Sequence, residues 1–345
     1  MKPGLDCLLR YVAAALLALF LASVIAENAA AADGANAAAD YTGPGRWRVE
    51  TRDQTWRDGK REREVPVRLF WPGAEAGSML PVVLFSHGLG GSRAAGQLWA
   101  EHWASHGLIV LVMQHPGSDD ALWKERPLRD IESGMKSGMT ASNLGLRVGD
   151  VRFVIDEIMH RAKVAEGIWG RADTSRLGMS GHSFGAQTTL SVSGQKSPNL
   201  AGQSGIDTRI VAAIAFSPNA RNKSSLARQF GDIRIPFLSI TGTADGSILG
   251  DGTTWQDRTL PFENMQAGGK FLIVFDRADH MVFGGQDIRR RPANAGDARV
   301  QSATKAATLA FWKSYLQGDP KAAAWLTAEG GLRVMLENQD QFKSK

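Results

Sequence analysis

The clearest catalytic motif of the chain lies in residues 176–194, RLGMSGHSFGAQTTLSVSG. An apolar run leads into Gly-His-Ser-Phe-Gly and a helix-compatible segment follows at once, which predicts a strand, a sharp turn and a helix with Ser183 at the apex. Gly181 and Gly185 stand two residues to either side, where they let the two backbones pass close together. We therefore expect an exposed hydroxyl at a helix N-terminus, where backbone N–H groups face a developing oxyanion.

A serine hydroxyl becomes a strong nucleophile only when a base takes its proton, and a third group must orient that base. For a serine on a turn of this kind, the acid and then the histidine follow it along the chain. Of the seven histidines only His280 follows Ser183, so elimination predicts His280 as the base. It stands just beyond the last buried strand that the sequence predicts, where a loop can return its imidazole to the top of the sheet.

Asp245 is the expected orienting acid. It ends the run FLSITGTAD directly past a buried strand, and sites form at the carboxyl ends of parallel strands. Asp276 and Asp279 remain alternatives, although both lie too close to His280 in sequence to approach it from a separate strand. A plain aspartate in a surface turn is the structural alternative for Asp245.

Two backbone N–H groups are needed to bind the oxyanion of the intermediate. One is expected from Phe184, the residue after the serine, and the second from the glycine-rich loop after the strand at 81–85, where we assign it to Leu89. A phosphate-binding loop is the competing interpretation. It is disfavoured because no lysine follows the loop and Arg93 stands where a dinucleotide motif needs its third glycine.

Several further side chains lie near this motif in sequence. His87 and His182 are expected to support the site through hydrogen bonds rather than to act as the base. Trp99, Trp103 and Trp255 either line an acyl pocket or belong to the core.

His102 and His106 have the spacing of a helical metal pair. The glutamate of a zinc-protease motif is missing between them, so a helix flank ending at Gly107 is favoured over a metal site. We expect no metal and no cofactor.

The elements around the motif predict an α/β fold. Alternating apolar and polar residues at 46–52 and 64–71 predict an antiparallel edge pair, and the valine-rich runs typical of strands buried on both faces follow. The buried strands are predicted at 81–85, 108–113, 176–182, 210–216, 237–241 and 271–275, and the helices at 94–106, 144–161 and 299–317. This order indicates a doubly wound, mostly parallel eight-stranded sheet with helices on both faces.

The polar stretch 115–143 has no clear period and predicts a flap or a loop over the site.

The first residues are typical of a secretory signal peptide. Lys2 and Arg10 precede an apolar run over 11–26, and small residues follow it. An uncleaved anchor is the alternative, but the run is short for a membrane span. The predicted organisation is a signal peptide over 1–26, a flexible leader over 27–44 and a single domain over 45–345.

Composition narrows the compartment and the partners. Cys7 is the only cysteine and would leave with the signal, so the mature chain would have no disulfide and no cysteine nucleophile. The net charge is +5, yet basic and acidic residues are interleaved, as in the run 61–64. Nucleic-acid and membrane-surface binding are therefore disfavoured. We expect a secreted or periplasmic protein with no stable membrane anchor after signal removal.

Five segments together resemble the α/β-hydrolase superfamily, namely FSHGLGGSR, ASHGLIVLVMQHPGSD, GHSFGAQT, TGTAD and ADHMVF. More narrowly, they are similar to bacterial relatives of the platelet-activating-factor acetylhydrolase and dienelactone-hydrolase-like esterases. The resemblance covers residues 45–317 and implies the roles of nucleophile for Ser183, acid for Asp245, base for His280, and oxyanion donors for Leu89 and Phe184. Dienelactone hydrolases proper use a cysteine nucleophile, so their substrate does not carry over.

The predicted function is a secreted or periplasmic serine hydrolase that cleaves small carboxylic esters through a Ser-His-Asp triad and an acyl-enzyme. Residues 217–235 form only a short excursion, without an extended lid, which favours short-chain or soluble esters. A lipid, polyester or peptide hydrolase of the same fold is the alternative. A non-catalytic binding protein is a further alternative, but it predicts a missing triad member and none is missing.

Overall fold

The computed structural model describes residues 40–77, 79–124, 126–196, 205–220, 222–247, 250–286 and 296–345. The signal peptide predicted at 1–26 and most of the leader predicted at 27–44 lie outside these residues. Tyr41, near the end of that leader, is buried and packs against Trp325 with 4.6 Å between the ring centroids. The packed part of the chain therefore begins before residue 45, earlier than the sequence predicts.

Within the described residues, nine strands form one sheet. They are β1 (Val49–Asp58), β2 (Arg63–Pro72), β3 (Leu80–Ser86), β4 (Ile109–Met113), β5 (Ala172–His182), β6 (Ile210–Phe216), β7 (Phe237–Ala244), β8 (Lys270–Asp279) and β9 (Gln341–Ser344). Their order across the sheet is β1-β2-β4-β3-β5-β6-β7-β8-β9. The six strands β3 to β8 are parallel, whereas β1, β2 and β9 pair antiparallel at the two edges. The mostly parallel α/β sheet predicted from the sequence is confirmed.

The sheet has one strand more than the eight that the sequence predicts. The additional strand, β9, has only four residues, Gln-Phe-Lys-Ser, and pairs antiparallel with β8. Phe342 is its one apolar residue, and its ring stacks on that of Phe271 with 6.4 Å between centroids. A single aromatic residue in a polar run carries no alternating pattern, which is why the sequence does not reveal this strand.

In the part of the chain that the structure describes, eight α-helices connect or flank the strands. They are α1 (Gln97–Ser105), α2 (Leu128–Gly138), α3 (Ala141–Lys163), α4 (Phe184–Val192), α5 (Leu226–Phe230), α6 (Trp255–Asn264), α7 (Asp297–Leu316) and α8 (Pro320–Thr327). Every residue of β3 and of β4 is buried, because helices cover both faces of the sheet. Trp99 of α1 and Trp312 of α7 belong to the core on one face, and Ile155 of α3 belongs to the core on the other.

Helix α3 buries apolar residues such as Val151 and Ile155 on the side that faces the core, while Leu146 and Met159 are 36% and 40% exposed. The buried face also includes two charged residues, Arg147 and Asp150. The helix begins after Thr140, whose hydroxyl accepts the N–H of Asn143.

The stretch 115–143, predicted as a loop, contains helix α2. The helix packs near the loop after β3, since a Cβ at Gly138 would lie 3.0 Å from Cδ1 of Leu89. Within the described part of the chain, no helix has both the length and the apolar character needed to cross a bilayer.

Candidate active site

Ser183 lies on a sharp turn between β5 and α4. Its backbone has φ 57° and ψ −113°, a conformation that is costly for a residue with a side chain. A Cβ at Gly181 would overlap the carbonyl group of Gly185, and a Cβ at Gly185 would overlap the carbonyl oxygen of Ser86. Both positions therefore require glycine, which allows the strand, the turn and the helix to pass each other. The Ser183 side chain remains partly exposed at the turn.

Asp245 and His280 are brought together at the same edge of the sheet. Asp245 directly follows β7 and His280 directly follows β8. Nδ1 of His280 lies 2.7 Å from Oδ1 of Asp245. Because a carboxylate accepts, the proton belongs on Nδ1, which leaves Nε2 as the basic nitrogen.

The carboxylate of Asp245 is fully buried and has several donors. Its Oδ2 accepts the hydroxyls of Ser217 at 2.6 Å and Thr241 at 2.8 Å. The guanidinium of Arg258 lies 2.7 Å from Oδ1. Burial by itself raises the pKa of Asp245, but the hydrogen bonds from His280 and Ser217 and the charge of Arg258 outweigh it, so the pKa lies below its ordinary value. The carboxylate is therefore ionised at neutral pH.

Ser183 and His280 line one small cavity of about 50 Å³. Met139, Phe184, Gln187 and Arg258 contribute to the same walls. His280 is buried, and its Nε2 has no hydrogen-bond partner within the part of the chain that the structure describes. His280 and Ser183 thus line one cavity, although among the described residues no hydrogen bond joins Nε2 of His280 to the Ser183 hydroxyl.

Leu89 and Phe184 each present a backbone N–H without a hydrogen-bond acceptor among the described residues. Phe184 is the first residue of α4, where the helix has no partner for its N–H and the helix dipole favours negative charge. Leu89 follows Gly88, at which a Cβ would lie 3.4 Å from Cβ of Ser183. The loop after β3 therefore runs directly beside the serine.

His87 and His182 are both buried and both hydrogen-bonded to main chain. The Nε2–H of His182 donates to the carbonyl oxygen of His280 at 2.9 Å. Nδ1 of His87 lies 2.5 Å from the carbonyl oxygen of Gly88, while its Nε2 accepts the N–H of His115 at 3.0 Å. Burial lowers the pKa of His182 to about 3 and holds that of His87 well below its ordinary value, so both rings are neutral.

The tryptophans lie away from the cavity that Ser183 and His280 share. Trp99 is fully buried, stacks on Phe216 and donates its Nε1–H to the carbonyl of Phe283 at 3.1 Å. Trp103 is also fully buried in the core. Trp255 is partly buried against a small apolar cluster around Phe262. These positions are those of core and cover residues.

His102 and His106 contact each other at the end of α1, with 4.9 Å between ring centroids. Nε2 of each ring is hydrogen-bonded to a main-chain carbonyl near the start of the described chain. That of His102 lies 2.9 Å from the Tyr41 oxygen, and that of His106 lies 3.2 Å from the Gly43 oxygen. In the described residues no three His, Cys, Asp or Glu side chains are grouped as metal ligands.

The alternative acids have other partners. Asp276 accepts the hydroxyl of Thr243 at 3.1 Å, and Oδ1 of Asp279 accepts the N–H of Met281 at 2.9 Å. Among the three candidate acids, the carboxylate that the structure places on the ring of His280 is that of Asp245.

Sequence reasoning missed three buried charged residues around this edge of the sheet. Arg258 contacts Asp245, while Arg147 and Asp150 lie beneath the loop after β3. The signal that could have found two of them is the presence of Arg147 and Asp150 on the side of α3 that carries Val151. A charge on an apolar helix face is rarely buried without a specific partner.

Comparison with known proteins gives a match to a family model and matches to solved structures. The family model for platelet-activating factor acetylhydrolase, isoform II, matches residues 45–125, which include Leu89 but not Ser183, Asp245 or His280. No curated protein sequence matches the chain. A solved structure, a ferulic acid esterase from Streptomyces cinnamoneus, superposes with a TM-score of 0.60 at 19% identity, over 88% of this chain and 99% of that one.

The chain has the fold of the α/β-hydrolases. Over residues 45–125 it is also similar to the family of platelet-activating factor acetylhydrolase, isoform II.

Proposed function

We propose that the chain is a secreted or periplasmic serine carboxylesterase with Ser183 as nucleophile, His280 as base and Asp245 as orienting acid. The observation that carries this proposal is the state of His280. Its Nδ1–H donates to Asp245 at 2.7 Å, its Nε2 has no hydrogen-bond partner among the described residues, and His280 lines the cavity that Ser183 also lines. An imidazole fixed in this tautomer is the arrangement that activates a serine hydroxyl.

In the proposed reaction, Oγ of Ser183 attacks the ester carbonyl carbon while Nε2 of His280 accepts the hydroxyl proton. The carbonyl oxygen becomes an oxyanion, which the N–H groups of Leu89 and Phe184 bind. The bond to the alcohol oxygen then breaks as His280 gives its proton to that oxygen, leaving an acyl-serine. Water attacks the acyl carbon with His280 again accepting the proton, and the carboxylic acid leaves as Ser183 regains its hydrogen.

The cavity beside Ser183 favours small acyl groups. Its volume is about 50 Å³, whereas an apolar cavity that admits benzene is about 150 Å³. The space directly beside Ser183 is therefore narrow, and an acetyl ester should be a better substrate than a feruloyl ester. Hydrolysis rates for a series of p-nitrophenyl esters from acetate to decanoate test this expectation. A comparison of hydrolysis of a soluble ester with that of an insoluble polyester separates the esterase from the lipid and polymer alternatives.

The nucleophile is tested with Ser183→Ala. We expect this change to lower kcat for p-nitrophenyl acetate by about 10,000-fold or more, because the triad acts as a unit. Labelling by a fluorophosphonate probe should disappear with it. Ser193→Ala is a matched control, since Ser193 lies just after α4 and its buried hydroxyl has no partner among the described residues. Normal turnover by Ser183→Ala would exclude Ser183 as the nucleophile. An unaltered protein that is neither labelled nor active would exclude the proposal and leave the binding-protein alternative.

The location is proposed from residues 1–26, and it is tested by the mass of the protein recovered from a bacterial host. Cleavage near residue 26 and recovery from the periplasm or medium are expected. Recovery of the uncleaved chain with the membrane would favour the anchor instead.

A further inference from the structure

We propose that Arg147 is a positioning residue for the oxyanion hole, because it holds the loop that carries the Leu89 N–H and also contacts the ring of Phe184. The inference rests on the proposed function, since it concerns the two N–H donors assigned there. Arg147 lies on α3, and its side chain is fully buried.

The guanidinium of Arg147 donates to the main chain of the loop after β3. Nη1 lies 2.6 Å from the carbonyl oxygen of His87, and Nη2 lies 3.5 Å from that of Gly88. The other side of the guanidinium is held by Ser118, whose hydroxyl accepts from Nε at 2.8 Å and whose carbonyl accepts from Nη2 at 3.3 Å. The same carbonyl accepts the N–H of Gly90 at 3.0 Å, so the loop is bound on both sides of Leu89.

The direction of the Leu89 N–H follows from the carbonyl of Gly88. Both belong to one peptide unit, which is planar and trans, so the N–H points opposite to the C=O. The Gly88 oxygen faces Arg147 and also accepts from Nδ1 of His87 at 2.5 Å and from the N–H of Gly91 at 3.1 Å. With the oxygen held by these donors, the Leu89 N–H points away from them, and the loop that carries it passes beside Ser183 at Gly88.

Arg147 contacts Phe184, the residue of the second N–H donor, through its aromatic ring. The guanidinium carbon of Arg147 lies 4.3 Å from the centroid of this ring, a distance typical of a cation–π contact. Phe184 contributes its N–H at the start of α4, so the ring contact links that end of the helix to the loop of Leu89. One side chain thus contacts both halves of the proposed oxyanion hole.

Arginine suits this place because its planar fork can bind two carbonyls and a ring at once. Burial lowers the pKa of Arg147 to about 9, while the charges of Asp150 and Asp119 act in the opposite direction. The group is therefore still charged at neutral pH. Asp150 is itself bound by Arg61, Arg63 and His115, which leaves the hydrogen bonds of Arg147 for the carbonyl and hydroxyl oxygens of the loops.

The test compares Arg147→Lys with Arg63→Lys in the full chain. Arg63 contacts Asp150 and the carbonyl of Pro116 but not the loop of Leu89, so its replacement disturbs the same polar cluster without releasing the loop. Complete loss of one oxyanion donor costs about 100-fold to 1,000-fold in kcat. For a displaced donor we expect Arg147→Lys to lower kcat for p-nitrophenyl acetate about 10-fold to 100-fold. KM should stay within about threefold, and inhibition by a trifluoromethyl ketone should weaken in parallel with kcat.

The outcomes separate this inference from the proposed function. If the unaltered protein neither hydrolyses the ester nor is labelled at Ser183, the proposed function fails. If the unaltered protein is active and folded Arg147→Lys retains kcat within threefold, or if both variants lose kcat equally, the positioning role is wrong. Should Arg147→Lys not fold, Ser118→Ala removes the hydrogen bond to Nε; a fall in kcat of about threefold to tenfold supports the role and an unchanged kcat overturns it.

Discussion

Asp245 and His280 stand side by side because the residues before them, Ala244 and Asp279, are paired in the parallel register of β7 and β8. Both strands end at this pair, so Asp245 and His280 are the next residue of each, and their side chains meet with 2.7 Å between Oδ1 and Nδ1. Sheet geometry thus sets their spacing before any loop contributes, which supports Asp245 as the acid and makes it the first residue to test.

Replacing Asp245 by Asn should lower kcat by about 1,000-fold to 10,000-fold without unfolding the protein. The amide can donate to the ring nitrogen that it faces, which favours the imidazole tautomer with its proton on Nε2, where it cannot accept from Ser183. Hydrolysis of p-nitrophenyl acetate measures the loss. Asp276→Asn is the control, because Asp276 binds Thr243 instead of His280; equal losses in the two variants would contradict the assignment of the acid.

Thr241→Val should reduce kcat about threefold to tenfold and lower the free energy of unfolding by about 1–3 kcal/mol, because it leaves one oxygen of a buried carboxylate with one donor fewer. The hydroxyl of Thr241 donates to Oδ2 of Asp245 at 2.8 Å, and valine keeps the shape of the side chain. Steady-state kinetics and urea unfolding provide the two measurements. Thr243→Val, which alters a hydroxyl bound to Asp276, should leave kcat unchanged.

The sequence led to the positions of the central strands along the chain and to the residues that meet at the edge of the sheet, because both depend on local patterns. Buried apolar runs mark β3 and β4, and the glycines around Ser183 mark the turn. The contacts of Arg147 could not be read in this way, since the residues it holds lie 60 positions away in the chain. Helix α2 was missed because its sequence, LRDIESGMKSG, contains four charged side chains of mixed sign and two glycines among few apolar residues.

Glycine-to-alanine substitutions should have opposite effects at crowded and at open positions. Gly185→Ala should prevent folding or destabilise the protein strongly, because its Cβ would overlap the Ser86 carbonyl, and backbone atoms there cannot move aside cheaply. Gly145→Ala, on α3 with nothing within 4 Å of the added Cβ, should stabilise the protein by about 0.5–1 kcal/mol. Thermal unfolding measures both. A Gly185→Ala protein with unchanged Tm would contradict the close crossing of strand and helix at Ser183.

Buried neutral histidines should make the fold sensitive to acid. Nε2 of His102 binds the Tyr41 carbonyl at 2.9 Å, and burial, aided by the charges of His106 and Lys305, lowers the pKa of His102 to about 3. Between pH 3 and its ordinary value of 6.5 the unfolded state binds the additional proton, so the free energy of unfolding falls as the pH falls through this range. One such group contributes a slope of up to about 1.4 kcal/mol per pH unit.

The contribution of His102 is isolated with His102→Gln. The glutamine amide can still donate to the carbonyl of Tyr41 but does not titrate, so stability at pH 7.5 should change by less than about 1 kcal/mol. Urea unfolding at pH 4.5, 5.5 and 7.5, followed by tryptophan fluorescence, should show a pH dependence that is flatter than that of the unaltered protein by about one proton. An equally steep loss of stability in the variant would mean that His102 becomes protonated in the folded state without cost, which its burial beside the Tyr41 carbonyl makes unfavourable.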